Sequence, residues 1–228
     1  MLMKGIDFPF NTIDFLKKLS KYNNREWFHS HREEYEKNFL LPAKICVIQL
    51  GDFLRNYIPN IIAVPEINKS IFRLNRDVRF SKNKNPYKTN LGLYFWEGKK
   101  KKLESSGFYF HIEPKTFLVA VGFYIFPNDI LKKYRQVLLQ QTKNSDLYKI
   151  IQSLKRKGYS IEEQKYKKLP GGFTPDHPFA ELSKFSGLYA MYETNDLEQF
   201  KKKDIIEFSQ KIMKDMIPLH RWIVENLG

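Results

Sequence analysis

The chain predicts an α+β fold, a central and mainly antiparallel sheet packed by N-terminal and C-terminal helices, in one continuous domain over residues 1–228. Three observations lead there. Apolar residues recur at three- and four-residue spacing from Ile13 to Tyr57 and again from Asp204 to Asn226, the signature of helical faces. Between them the period falls to two, as it does when successive side chains point to opposite faces of a strand. No repeat, low-complexity stretch or linker divides the chain.

The elements follow in order. Thr12 precedes Ile13, Phe15, Leu16 and Leu19, which predicts a capped helix to Lys21, closed by Tyr22 to Asn24. Arg25 to Phe39 puts Trp27, Phe28, His31, Tyr35 and Phe39 near one face, with Asn24 as cap. Pro42 suits the first turn of a third helix to Tyr57, with Ile45, Ile48, Gly51, Phe53 and Leu54 buried. Ile71, Phe72 and Leu74 read as a short strand. Leu91 to Trp96, Gly107 to Glu113 and Phe117 to Tyr124 alternate clearly, and the last two are close enough for a hairpin. One sheet face should be aliphatic and phenyl-rich; the other carries Tyr, His, Glu and Gly, a composition that can line a pocket. Pro127 to Asp129 restarts helix, a second helix spans Asp146 to Lys157, and Gly158 ends it. Pro and Gly make Leu169 to Pro178 a loop, followed by a short helix, a strand at Leu188 to Glu193 and the C-terminal helix.

Composition narrows the function classes. Hydrophobic residues at 42% and aromatics at 15% are those of a chain that buries a core. The single cysteine, Cys46, sits in an apolar run and reads as a core residue; it can make no intrachain disulfide and no cysteine-rich zinc site. No apolar run reaches signal-peptide or bilayer-spanning length, so the expectation is a cytoplasmic protein with no membrane partner. The formal net charge of +14 raises nucleic acid as a partner. Much of that charge lies in lysine tracts, at Lys99 to Lys102, Lys165 with Lys167 and Lys168, and Lys201 to Lys203, where solvated turns are expected.

The densest mixture of charge and order is Arg73 to Lys88, with six cations against one acid, Asp77, and three of the chain's nine arginines. Guanidinium presents a planar donor fork suited to phosphate and carboxylate. Arg73, Arg76, Arg79, Lys82 and Lys88 are therefore the candidate anion-binding residues, with Ser81 and Thr89 as hydroxyl donors. They converge only if the chain folds back on itself. The competing reading has Arg76 and Arg79 paired with Glu33 or Glu36, stitching sheet to helix.

His111 and Glu113 stand two apart on a strand, hence on one face, with Tyr109 beside them, and are the candidate acid–base pair. Two ligands do not make a metal site, and His31, Asp176 and His177 have no metal-motif spacing, so neither metal nor cofactor is expected. Asp176 beside His177 reads better as a helix cap than as half of a catalytic pair. No Gly-x-Ser-x-Gly elbow and no phosphate-binding glycine loop is present.

Several stretches together carry a resemblance: Asn23 to Phe28, Ser70 to Arg73, Arg76 to Lys82, Pro86 to Thr89, Tyr109 to Pro114 and Leu169 to Phe173. The chain resembles the bacterial family called domain of unknown function 2461, over nearly its whole length. The family's pattern has a glycine-rich hairpin after the His-Ile-Glu-Pro segment, where this chain has Lys115 to Phe117 and only Gly122. The resemblance implies a single domain and carries over no activity to this chain. The expected function is binding of a small phosphate- or carboxylate-bearing ligand, with enzymatic processing left open; the alternative is a nucleic-acid-binding protein using a broad basic surface.

Overall fold

A computed structural model describes residues 8–98, 102–162 and 166–228. Lys99 to Lys101 and Lys165, which belong to the lysine tracts, lie outside the described residues. The chain is an α+β protein with an antiparallel six-stranded sheet and helices at both ends. Its strands are β1 (Ile61–Ile62), β2 (Leu91–Glu97), β3 (Gly107–Ile112), β4 (Phe117–Phe123), β5 (Ser160–Glu162) and β6 (Leu188–Thr194), in the order β1-β2-β3-β4-β6-β5. Contacts group the chain into two compact units: Met1–Phe95 with Tyr109–Leu118 and Glu193–Gln210, and Trp96–Phe108 with Val119–Tyr192 and Lys211–Gly228.

In the first unit, α1 (Phe10–Lys21) begins earlier than expected and Thr12 does not cap it. The threonine is buried one turn inside, its hydroxyl donating to the Asn38 carbonyl at 2.5 Å, so a tertiary contact takes the group a cap would use. Asn24 does cap α2 (Arg25–Ser30), accepting from the Trp27 N–H at 2.8 Å. The single helix expected to Phe39 is interrupted. His31 leaves helical geometry and turns its Nδ1 back on the Trp27 carbonyl at 2.8 Å; α3 (Arg32–Tyr35), a π-helical turn over Glu36–Leu40 and α4 (Leu41–Arg55) follow. The π turn rotates the next face. α4 buries Ala43, Cys46, Val47, Leu50 and Leu54, whereas Ile48, expected inside, is exposed, because the extra residue per turn shifts which positions point inward. Phe15 sits 6.0 Å from the rings of Tyr35 and Phe39, forming an aromatic core.

In the second unit, α5 (Asn128–Leu139) and α6 (Asp146–Arg156) bury Ile130, Tyr134, Leu138, Leu147, Ile151 and Leu154. β5, not foreseen, pairs antiparallel with β6, Ile161 opposite Ala190. Gly122 of β4, at φ +144°, has no room for a side chain: a methyl there would lie 2.3 Å from the Leu188 carbonyl oxygen. The helix after Pro178 is α7 (Ala180–Ser183), and Asp176 does not cap it; the neighbouring His177 Nδ1 accepts from the Phe179 N–H at 3.1 Å. The C-terminal helix is α8 (Ile205–Leu227), with the Asp204 carboxylate accepting from Ile206 N at 2.7 Å and Glu207 N at 3.0 Å.

Among the described residues, no helix is long and apolar enough to cross a membrane.

Candidate functional site

The site is built within the first unit from the basic segment and the half-exposed face of β3. The segment does fold over itself. Arg76 N donates to the Pro86 carbonyl and Lys88 N to the Leu74 carbonyl, both at 2.8 Å, so Arg73 to Arg76 runs antiparallel to Pro86 to Lys88 with a loop between. The stretch expected as a strand at Ile71 to Leu74 is reduced to single bridges, Ile71 to Leu93 and Asn75 to Tyr87, because the chain must turn outward into the basic loop. Asn23 fixes the exit: its side-chain amide donates to the Tyr87 carbonyl and accepts from the Tyr87 N–H, each at 3.0 Å. The Tyr87 ring is buried, stacked 4.4 Å from Phe28.

This hairpin brings three of the five candidate cations together. Lys88 is half-buried, and burial first, then the charges of Arg73 and Arg76, hold its ammonium below the usual lysine range. Among the described residues, no carboxylate lies within ion-pair distance of Arg73, Arg76 or Lys88, although Asp77 feels the Arg73 charge from farther off. The Arg76 guanidinium reaches Ser81 Oγ at 3.5 Å. Arg79 stands apart: its Nη2 is 2.6 Å and its Nε 3.0 Å from Asp77, which holds the guanidinium in the loop with 76% of its side chain exposed. Lys82 is exposed on the same loop. Neither Arg76 nor Arg79 pairs with Glu33 or Glu36; Arg32 takes Glu36 instead, at 2.6 Å.

The polar row lies on β3. Alternation turns Phe108, Phe110 and Ile112 inward and leaves Tyr109 and His111 half-exposed, with Glu113 exposed just beyond the strand. Tyr109 Oη is 2.8 Å from His111 Nδ1, and His111 Nε2 is 2.9 Å from Glu113 Oε1. Asn90 Nδ2, which the sequence reading did not single out, reaches the same Nδ1 at 3.4 Å. Burial pulls the imidazole below its usual value, against the opposing pull of Glu113 and, more weakly, Glu193, so His111 is neutral at pH 7.

One phenyl ring joins the two halves. Phe72 carries the Lys88 ammonium 5.6 Å from its ring centre and meets Tyr109 edge to face at 6.0 Å. Gly92 makes this possible, since a methyl there would lie 3.1 Å from both the Phe72 ring and the Tyr109 oxygen. A separate open hollow of about 560 Å³ in the same unit is lined by Phe10, Ile13, Lys115 and Asp196 among others. None of the candidate residues lines it.

His31 stacks on Trp27 at 4.1 Å, and His177 serves the turn before α7. Among the described residues, no three His, Cys, Asp or Glu side chains gather where they can hold a metal ion. Cys46 is fully buried, and that burial raises its thiol well above the ordinary value.

The family model described as conserved hypothetical protein (DUF2461) matches residues 11–222, and the chain belongs to that family. No curated protein and no solved structure matches it.

Proposed function

We propose that this protein binds a small phosphate- or carboxylate-bearing ligand at Arg73, Arg76 and Lys88, beside the row Tyr109, His111 and Glu113. The observation that carries the reading is the gathering of three cations, two of them half-buried, with no carboxylate among the described residues in ion-pair reach. Like charges held together raise the free energy of the unliganded protein, and an anion placed among them removes that cost. Arg79 and Lys82 take a lesser part, the first because Asp77 already occupies its donor fork. The row of Tyr109, His111 and Glu113 supplies proton transfer next to the anion, which is what distinguishes this reading from simple ion storage.

The test is a thermal-melt panel of inorganic phosphate, nucleotides, sugar phosphates and dicarboxylates. At ten times Kd, a ligand that binds only the folded chain stabilises it by about 1.4 kcal/mol. Arg76→Ala should abolish the shift; a panel in which no anion raises the melting temperature contradicts the reading.

One observation favours nucleic acid as a second reading. Phe80 is 95% exposed in the basic loop, with the Arg79 guanidinium 5.9 Å from its ring centre and Lys82 and Lys84 close in sequence. An exposed ring among cations can stack on a base while the cations meet phosphates. That reading requires affinity for single strands that falls log-linearly with salt and is lost in Phe80→Ala.

A further inference from the structure

The hydrogen-bond directions in the polar row assign the working atom. An ionised carboxylate only accepts, so the 2.9 Å contact between Glu113 Oε1 and His111 Nε2 requires the hydrogen on Nε2. In the neutral ring Nδ1 is then the acceptor, and it faces two donors, the Tyr109 hydroxyl at 2.8 Å and the Asn90 amide at 3.4 Å. Both imidazole nitrogens are engaged within the protein. His111 therefore has no nitrogen left to present to a ligand, although residue spacing alone makes it the natural acid–base group.

Building on the ligand site proposed above, we propose that the phenolic oxygen of Tyr109 is the atom that exchanges a proton with the bound ligand, with His111 and Glu113 as positioning residues behind it. The ligand class is an anion that also carries a hydroxyl, such as a sugar phosphate or a hydroxy acid, its charged group on Lys88 and its hydroxyl at Tyr109. The ring of Phe72, in contact with both, sets that spacing. In the step, the ligand O–H bond breaks and its proton moves to the phenolic oxygen. The phenol's own proton passes to His111 Nδ1, leaving an imidazolium paired with Glu113, and the return of both protons closes the cycle with no net oxidation. The groups that face His111 are Tyr109 and Asn90 on one side and Glu113 on the other, with the Glu193 charge at longer range.

The test needs no ligand. An arylsulfonyl fluoride modifies a phenol by forming an O–S bond as S–F breaks; fluoride leaves, and here the phenolic proton goes to His111. Labelling of the full chain, mapped by peptide mass, should find Tyr109 modified, and His111→Gln should slow that modification at least tenfold. In the wild type the rate should drop as His111 becomes protonated, an inflection absent from the variant. Glu113→Gln, at an exposed position, should slow labelling severalfold with the fold intact, and serves where His111→Gln does not fold. The anion-induced melting shift is read on the wild-type chain in a separate assay, so failure of the ligand site and failure of the relay are separately visible. An unlabelled Tyr109, or equal rates in wild type, His111→Gln and Glu113→Gln, overturns the inference.

Discussion

Among its described residues the protein holds two lines of hydroxyl, imidazole and carboxylate. In the first unit, Tyr109, His111 and Glu113 join at 2.8 and 2.9 Å. In the second, Ser106 Oγ lies 2.8 Å from His220 Nδ1, and His220 Nε2 is 3.4 Å from Glu97 Oε1, too poorly aligned to satisfy the nitrogen. The atoms are nearly the same and the settings opposite. His220 is 0% and Ser106 2% exposed, with the Phe108 ring 4.8 Å away; Tyr109 and His111 are half-buried, the His111 side chain 14% exposed, and Glu113 faces solvent. Chemical identity does not make a site. The imidazole and hydroxyl of the buried line tie α8 to the entrance of β3 and are closed to solutes, only its Glu97 carboxylate being partly exposed, whereas the open line is backed by its carboxylate and bordered by cations.

That contrast can be broken most forcefully by removing each imidazole. His220→Ala opens a cavity and strands the Ser106 hydroxyl, and should cost about 2–4 kcal/mol in denaturant unfolding. His111→Gln should cost only about 1 kcal/mol, since water can reach the groups it leaves behind. Equal losses would erase the distinction between a structural and a chemical line. Next in size, Gly92→Ala crowds Tyr109 and Phe72, which should slow Tyr109 labelling severalfold while costing about 1 kcal/mol of stability. A shift in the environment of His220 on the same substitution, seen by NMR, would contradict the separation of the two lines.

Acid titration sharpens the same contrast, because the two lines fail in different windows. His111 has its affinity for protons lowered by burial, so the unfolded chain binds the proton first. Its contribution is intact above pH 6.5 and declines as pH falls below that value, by at most about 1.4 kcal/mol per pH unit. Glu97 is held below its ordinary 4.5 by its contact with His220, against the opposing effect of burial. Its contribution is present above pH 4.5 and is lost as pH falls through the lower folded value. Unfolding curves of wild type and His111→Gln should diverge in slope only in the upper window. The smallest effect belongs outside both lines: Phe80→Ala should change stability by less than about 0.5 kcal/mol, as expected of a ring that buries nothing.

What was legible in the sequence followed periodicity. β2, β3 and β4 were readable to within a residue because large apolar side chains recur at every second position in each, although β2 is buried on both faces, and the pairing of His111 with Glu113 follows from a two-residue step along a strand. The interruption at His31 was not legible, since a side chain turning back on its own helix leaves no mark in hydrophobic spacing. Nor was the pairing of Ile71 to Arg76 with its partners, where isolated bridges replace a ladder. Asn23, 64 residues from Tyr87, and Ser106, 114 residues from His220, form contacts that only the folded chain creates. The basic run announced its composition but not its division, in which Asp77 takes Arg79 and the hairpin collects Arg73, Arg76 and Lys88.

The most direct measurement is an NMR titration of the histidine side chains with inorganic phosphate. The ring signals of His111 should move saturably while those of His220 stay fixed, and Arg76→Ala should remove the movement. Signals of His111 that do not respond, or that shift no more than those of His220, would contradict a ligand site on this face of β3.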